Sequence, residues 1–294
     1  MFYLESNHFQ LELQVVPVDA LLQHEETLSE PLRKLTLALQ NQAHLHNPII
    51  IDENNIVLDG NHRAFAFKKL NFKHIAACRI NYFHKETKLR YWYRHFTNAP
   101  PLSTIKRAVQ KLKGEWLEVA DKGSLQKALE QECFCCGVQR SDSFVLIRFH
   151  EDRVSDAVTA YEILNRIQGE LLGEGSKLKY IPCNTVHDTD FCEGLDQSEV
   201  VLWTPRITKE MVIDAAKRLQ LFTPKATRHL IPARPLNVDV PTEWFKEDVS
   251  LKEMNLRFRN HLQRKNIQRF GPGQVVHGRY YEEELFVFFD KEKS

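Results

Sequence analysis

The sequence predicts a mixed α/β (α+β) fold, and three observations carry that prediction. Short runs of apolar, often β-branched residues, such as Pro48-Ile49-Ile50-Ile51-Asp52 and Ile56-Val57-Leu58, are bounded by turn-forming residues as strands are. Between such runs lie segments with apolar residues at helical spacing, such as Ala64 to Leu70. The composition, 43% hydrophobic with 18 Phe in 294 residues, supplies ample material for a core.

In chain order, Leu11 to Val16 reads as a strand stopped by Pro17. Pro31 to Gln42, after Ser29-Glu30, reads as a helix with proline at its start, where the missing N–H costs nothing. The two apolar runs around Glu53-Asn54-Asn55 predict a tight strand–turn–strand unit, followed by a helix after Arg63 and a strand over Ile75 to Ile80. Asn98-Ala99-Pro100-Pro101 is the clearest breaker and predicts a boundary, giving domains 1–98 and 99–294. Beyond it, Ser103 to Glu130 reads as largely helical, with Ser103 or Thr104 as N-cap. Strands are predicted at Ser143 to Phe149, Leu178 to Pro182, Val200 to Trp203 and Leu236 to Val240, with helices at Asp156 to Leu172, Thr208 to Leu221 and Ser250 to Gln263. The C-terminal stretch suggests a hairpin of Gln274 to Arg279 with Glu284 to Phe289.

A net charge of +1 supplies no whole-molecule field for nucleic acid or anionic lipid, so nucleic acid is not an expected partner. No apolar run approaches the roughly 18–20 residues a membrane helix needs. The N-terminal residues lack the basic-then-apolar pattern of a secretory signal, and a cytoplasmic address is expected. The six cysteines read as reduced thiols on that expectation. Cys133, Cys135 and Cys136, with Cys183, His187 and Cys192, invite a metal reading but lack paired C-x₂-C spacing.

The segment richest in chemistry is Leu58-Asp59-Gly60-Asn61-His62-Arg63, a polar loop delivered to a helix N-terminus. There, backbone N–H groups and the helix dipole favour an anion such as phosphate. Gly60 permits close backbone approach, His62 can donate, and Arg63 offers a planar fork. Asp59 could hold Mg²⁺, orient His62 or cap the helix. A plain turn with solvated His62 and Arg63 accounts for the same residues.

This loop, with the Lys73-His74-Ile75 strand after its helix, resembles the D-G-H-H-R-type loop of the ParB/sulfiredoxin-like fold, within which it is most similar to the free L-serine kinases. Ser29-Glu30-Pro31-Leu32-Arg33, Leu202-Trp203-Thr204-Pro205, Pro224-Lys225-Ala226-Thr227-Arg228-His229 and Arg234-Pro235-Leu236-Asn237-Val238-Asp239-Val240-Pro241 extend the resemblance along the chain. It implies a ParB/sulfiredoxin-like N-terminal domain, a second α/β lobe closing over a cleft, and phosphoryl transfer from ATP or ADP with Mg²⁺ to the hydroxyl of L-serine. Glu30 would be the base, and Asp59, His62 and Arg63 would hold the transferring phosphate with Gly60 and Asn61. Trp92, Thr227, Arg228 and His229 would grip the substrate. Asn61 departs from the family, which often has a second His there. A ParB-like DNA-associated regulator and a non-catalytic nucleotide or amino-acid sensor are the competing readings; a sulfiredoxin-type reductase needs a cysteine that residues 59–63 lack.

Overall fold

The computed structural model describes residues 1–6, 9–132, 134–150, 152–183, 194–276 and 278–291. The chain divides into two compact units, one formed by Met1–Lys88 with His229–Ser294 and the other by Leu89–Arg228.

The first unit is built on a five-stranded sheet in the order Phe2–Ser6, Phe9–Pro17, His74–Arg79, Ile49–Ile51, Val57–Asp59. Ile49–Ile51 runs parallel to His74–Arg79, and the other pairings are antiparallel. Ile49, Ile50, Ile51, Val57, Ile75, Ala76 and Ala77 are fully buried, as expected of strands covered on both faces. Helix Asn61–Lys69 connects two of these strands and packs against helix Ser29–Asn41. The returning C-terminal segment contributes helix Leu251–Gln263, capped by the Ser250 hydroxyl, which lies on strand Phe9–Pro17. There the Asn255 side-chain amide bonds both the N–H and the C=O of Val15. A three-stranded sheet, Ala233–Leu236, Glu284–Asp290, Lys265–Phe270, completes the unit.

The second unit holds a fully antiparallel six-stranded sheet, ordered Lys177–Pro182, Trp92–Thr97, Val200–Trp203, Cys136–Arg140, Ser143–Phe149, Gly114–Val119. Tyr91, Tyr93, Leu125, Leu129 and Trp203 form one of its apolar clusters. Helices Ala157–Gly173 and Lys209–Lys217 start where Asp156 and Thr208 side chains accept from the third residue on, the capping geometry their sequences predict.

Four sequence expectations are corrected. Ser103 to Glu130 is not one helical stretch: helices Leu102–Lys111 and Lys122–Gln131 flank strand Gly114–Val119, and Pro101 is the first N-cap. Lys113 adopts φ 59°, which ends the first helix, and a Cβ on Gly114 would lie 2.6 Å from the Phe149 ring. The single boundary near residue 98 gives way to the division above. Asn98 to Pro101 is pinned inside the second unit, with Ala99 N–H donating to Ser198 O at 2.7 Å and Arg140 Nη2 donating to Ala99 and Pro100 carbonyls. The strand expected over Leu236 to Val240 lies at Ala233–Leu236. The expected terminal hairpin is instead Gln274–Val276 with Arg279–Tyr281, while Glu284–Asp290 pairs with two non-neighbouring strands. Among the described residues no helix is long and apolar enough to cross a membrane.

Candidate functional site

Strand Val57–Asp59 carries Asp59 to its end, Gly60 turns the chain, and the helix begins at Asn61. The turn requires glycine: Gly60 has φ 93°, and a Cβ there would lie 2.7 Å from Ile49 Cγ2 and 2.8 Å from Arg63 Nη2. The helical ladder starts with Ala64 N–H donating to Gly60 O, and no side chain caps the helix. The N–H groups of residues 61–63 therefore lie outside the ladder, at the positive end of the dipole. The amide oxygen of Asn61 is buried and accepts no hydrogen bond among the described residues, an unmet demand that a bound donor would satisfy. His62 lies half-buried on the first turn beside it.

Arg63, expected as a fork for phosphate oxygens, is engaged by the chain's own acceptors. Its Nη1 donates to the carbonyls of Asn47 at 2.6 Å and Pro48 at 2.9 Å, and Nη2 donates to Asp59 Oδ2 at 3.2 Å. The same Oδ2 accepts from Arg234 Nη1 at 2.6 Å, and Arg234 Nε donates to Glu283 at 2.7 Å. Burial alone would raise the Asp59 pKa, but the Arg234 and Arg63 guanidiniums outweigh it and hold the carboxyl well below the usual carboxylate range. This pairing bears on Mg²⁺. Mg²⁺ takes hard oxygen ligands in octahedral geometry. Asp59 offers one carboxylate already neutralised by two guanidiniums, and among the described residues no group of three or more His, Cys, Asp or Glu could hold a metal. Mg²⁺ at Asp59 would have this one carboxylate as its protein ligand, with nucleotide phosphate oxygens and water filling the rest of the octahedron.

Glu30 lies in the first turn of helix Ser29–Asn41, its side chain 55% exposed. Arg33 donates to both its oxygens, at 2.9 and 3.0 Å, and Lys34 stands 3.5 Å away. The Arg33 bonds hold its pKa below the ordinary value, a small desolvation effect opposing them, so the carboxylate is ionised and able to accept a proton. His229, also in the first unit, meets the Tyr82 hydroxyl through Nε2 at 2.8 Å and the edge of the His24 ring at 5.3 Å. Burial pushes the His24 pKa down to about 4, with a bond to the Val57 backbone opposing.

In the second unit, Trp92, Thr227 and Arg228 come together. Trp92 Nε1 donates to Thr227 O at 2.9 Å, Arg228 stands 5.9 Å from the Trp92 ring centroid, and Lys225 stacks on the ring at 4.5 Å. The division of the chain falls between Arg228 and His229, so the expected Thr227-Arg228-His229 group is shared between the two units. Sequence reasoning missed Tyr82, His24, Glu283 and Lys225, and gave Arg234 no role; only the R-P-L segment hinted at it. Cys78, Cys135, Cys136 and Cys183 are buried free thiols, with burial pushing Cys135 up to about 12. Cys133, His187 and Cys192, the remaining members of the metal reading, lie outside the described residues.

No family model matches the chain. It is 27% identical over 244 residues to an ATP-dependent L-serine kinase of Staphylothermus marinus, spanning 80% of this chain and 92% of that protein. It is 23% identical over 235 residues to the ADP-dependent L-serine kinase SerK of Thermococcus kodakarensis, spanning 78% and 90%. A solved free serine kinase in complex with AMP superposes with a TM-score of 0.61 at 22% identity, covering 79% of this chain and 93% of that one. The mixed α/β fold is the one shared with that solved free serine kinase. In sequence and in fold the chain is similar to the free serine kinases.

Proposed function

We propose that the protein is a phosphotransferase that moves a nucleotide phosphoryl group to the hydroxyl of free L-serine, giving O-phospho-L-serine. The observation that carries this reading is the uncapped helix N-terminus at Asn61, behind a glycine turn, in a chain that matches L-serine kinases over nine-tenths of their length. Phosphoryl transfer needs little covalent help from protein, and positioning with charge stabilisation does most of the work. The backbone N–H groups of residues 61–63 cradle the phosphoryl oxygens, and His62 adds a side-chain donor. Glu30 takes the proton from the serine hydroxyl as the new O–P bond forms. The bridging O–P bond to the nucleotide breaks, and the nucleotide leaves as a diphosphate from ATP or a monophosphate from ADP. Trp92, Thr227, Arg228 and His229 bind the amino acid. Mg²⁺ enters as the nucleotide's counter-ion, and no step here depends on its being held by the protein.

The test is incubation with L-serine, Mg²⁺ and either ATP or ADP, followed by phosphorus NMR. A phosphomonoester signal that depends on serine, and vanishes in Glu30→Ala with nucleotide binding intact, is the expected result. Nucleotide binding without product under every combination would replace the kinase with the sensor reading.

A further inference from the structure

Asp59 is the loop's only carboxylate, and its orientation is set from a distant part of the chain. Strand Ala233–Leu236 pairs in parallel with Glu284–Asp290, placing Arg234 opposite Leu285, and Glu284 N–H donates to Pro232 O at 3.1 Å. This register brings Glu283 beside Arg234. The arginine side chain is 8% exposed and holds Asp59 on one side and Glu283 on the other. Both guanidiniums, of Arg234 and Arg63, converge on Oδ2, while Oδ1 accepts no hydrogen bond among the described residues. Arg63 cannot set this geometry alone, because its Nη1 is fixed on two carbonyls and its reach to Asp59 is the longer bond. Arg279 adds a third guanidinium that acts on Asp59 and Arg63.

We propose that Arg234 is a positioning residue for phosphoryl transfer, turning Asp59 so that Oδ2 is fixed inward and Oδ1 faces the ligand, with Glu283 holding the guanidinium from behind. The inference rests on the proposed kinase reading for its kinetic consequence but not for the coupling itself. Arg234 touches no substrate in this scheme and acts only through Asp59.

The test combines Arg234→Lys, Asp59→Asn and the double variant, each checked by thermal unfolding and by calorimetric binding of ADP. Lysine keeps the charge but cannot bridge two carboxylates with one planar fork. Misplacement on the ångström scale typically costs about 10²-fold, so Arg234→Lys should lower kcat by about that factor with the serine KM unchanged. In the Asp59→Asn background the same change should cost nothing further. Multiplying effects in the double variant would overturn the proposal, since Arg234 would then act independently of Asp59. Glu283→Gln, which leaves the guanidinium in place, serves where Arg234→Lys does not fold: a smaller kcat loss, again absent in the Asp59→Asn background, is expected. A second readout needs no activity. Carbon NMR of labelled aspartate should show the Asp59 carboxyl staying ionised to a lower pH in the wild type than in Arg234→Lys. An unchanged titration overturns the coupling even in a chain that makes no phosphoserine, whereas a wild type inactive on serine defeats the kinase reading and leaves the titration to decide this one.

Discussion

Arg63→Met separates an anchor from a phosphate ligand. The side chain is 21% exposed, and its removal deletes two short bonds to the Asn47 and Pro48 carbonyls and one long bond to Asp59. Hydrogen bonds from a charged donor contribute about 1.5–3 kcal/mol each, and methionine restores none of them. Water reaches part of the site and recovers some of that loss, so a destabilisation of about 3–4 kcal/mol follows from the two short bonds. In a chain of this size each kcal/mol moves Tm by roughly 2–4 °C, so the melting midpoint should fall by about 10 °C. Circular dichroism melts and calorimetric ADP titration at a temperature where both proteins are folded give the two numbers. The anchor role expects the large Tm loss with nucleotide affinity reduced less than about tenfold. A phosphate fork expects the reverse, because losing a buried charge partner of the ligand costs about 2–5 kcal/mol of binding. Nearly unchanged Tm with affinity down a hundredfold or more would refute the anchor reading.

Glu30→Gln should keep nucleotide affinity and lose roughly 10²–10⁴-fold in kcat, the usual contribution of a general base, read by phosphorus NMR. Because Arg33 lowers the Glu30 pKa, the acid limb of the wild-type kcat profile should lie below the ordinary glutamate value, and in Arg33→Ala it should move up toward that value. Gly60→Ala forces a left-handed alanine against Ile49 and Arg63, and should cost about 1–3 kcal/mol or more and weaken ADP binding by displacing the N–H cradle; an unchanged Tm would contradict the turn geometry. His24 supplies a pH dependence of known sign. Its folded pKa of about 4 lies below the unfolded value of 6.5, so the unfolded chain binds the extra proton between those values. Stability from this group is full above pH 6.5 and falls as pH drops toward 4, by about 2 kcal/mol between pH 7 and pH 5. Urea midpoints at the two pH values should show a smaller difference in His24→Gln than in the wild type.

What the sequence revealed and what it hid divide along one physical line, the range of the interactions involved. Ile49–Ile51, Val57–Asp59, Ser143–Phe149 and Val200–Trp203 were legible because a short β-branched or aromatic run is decided by its own burial, and all but the ends of these strands are buried or half-buried. Asp156, Thr208 and Ser250 mark their helices because capping is settled within one turn. Strand Gly114–Val119 was not legible: Glu115 and Glu118 suit a helix, and the left-handed residue that ends the preceding helix is a lysine, which carries no turn signal. The pairings of Glu284–Asp290 reach back 15 to 25 residues to one strand and 51 to the other, and no local pattern specifies them. The site follows the same rule. The glycine turn and the helix N-terminus were readable at Gly60 and Asn61 because they are properties of a few consecutive residues. The destinations of charged side chains were not. Arg63 reads as ligand-facing because it sits one turn into a helix, yet its partners are carbonyls fifteen and sixteen residues earlier, and the cation that holds Asp59 most closely arrives 175 residues later. A guanidinium must be paired wherever the fold buries it. Here Arg63 is paired by the Asn47 and Pro48 carbonyls and Asp59, and Arg234 by Asp59 and Glu283, so the loop's electrostatics are fixed by strand Ala233–Leu236 as much as by the loop's own residues.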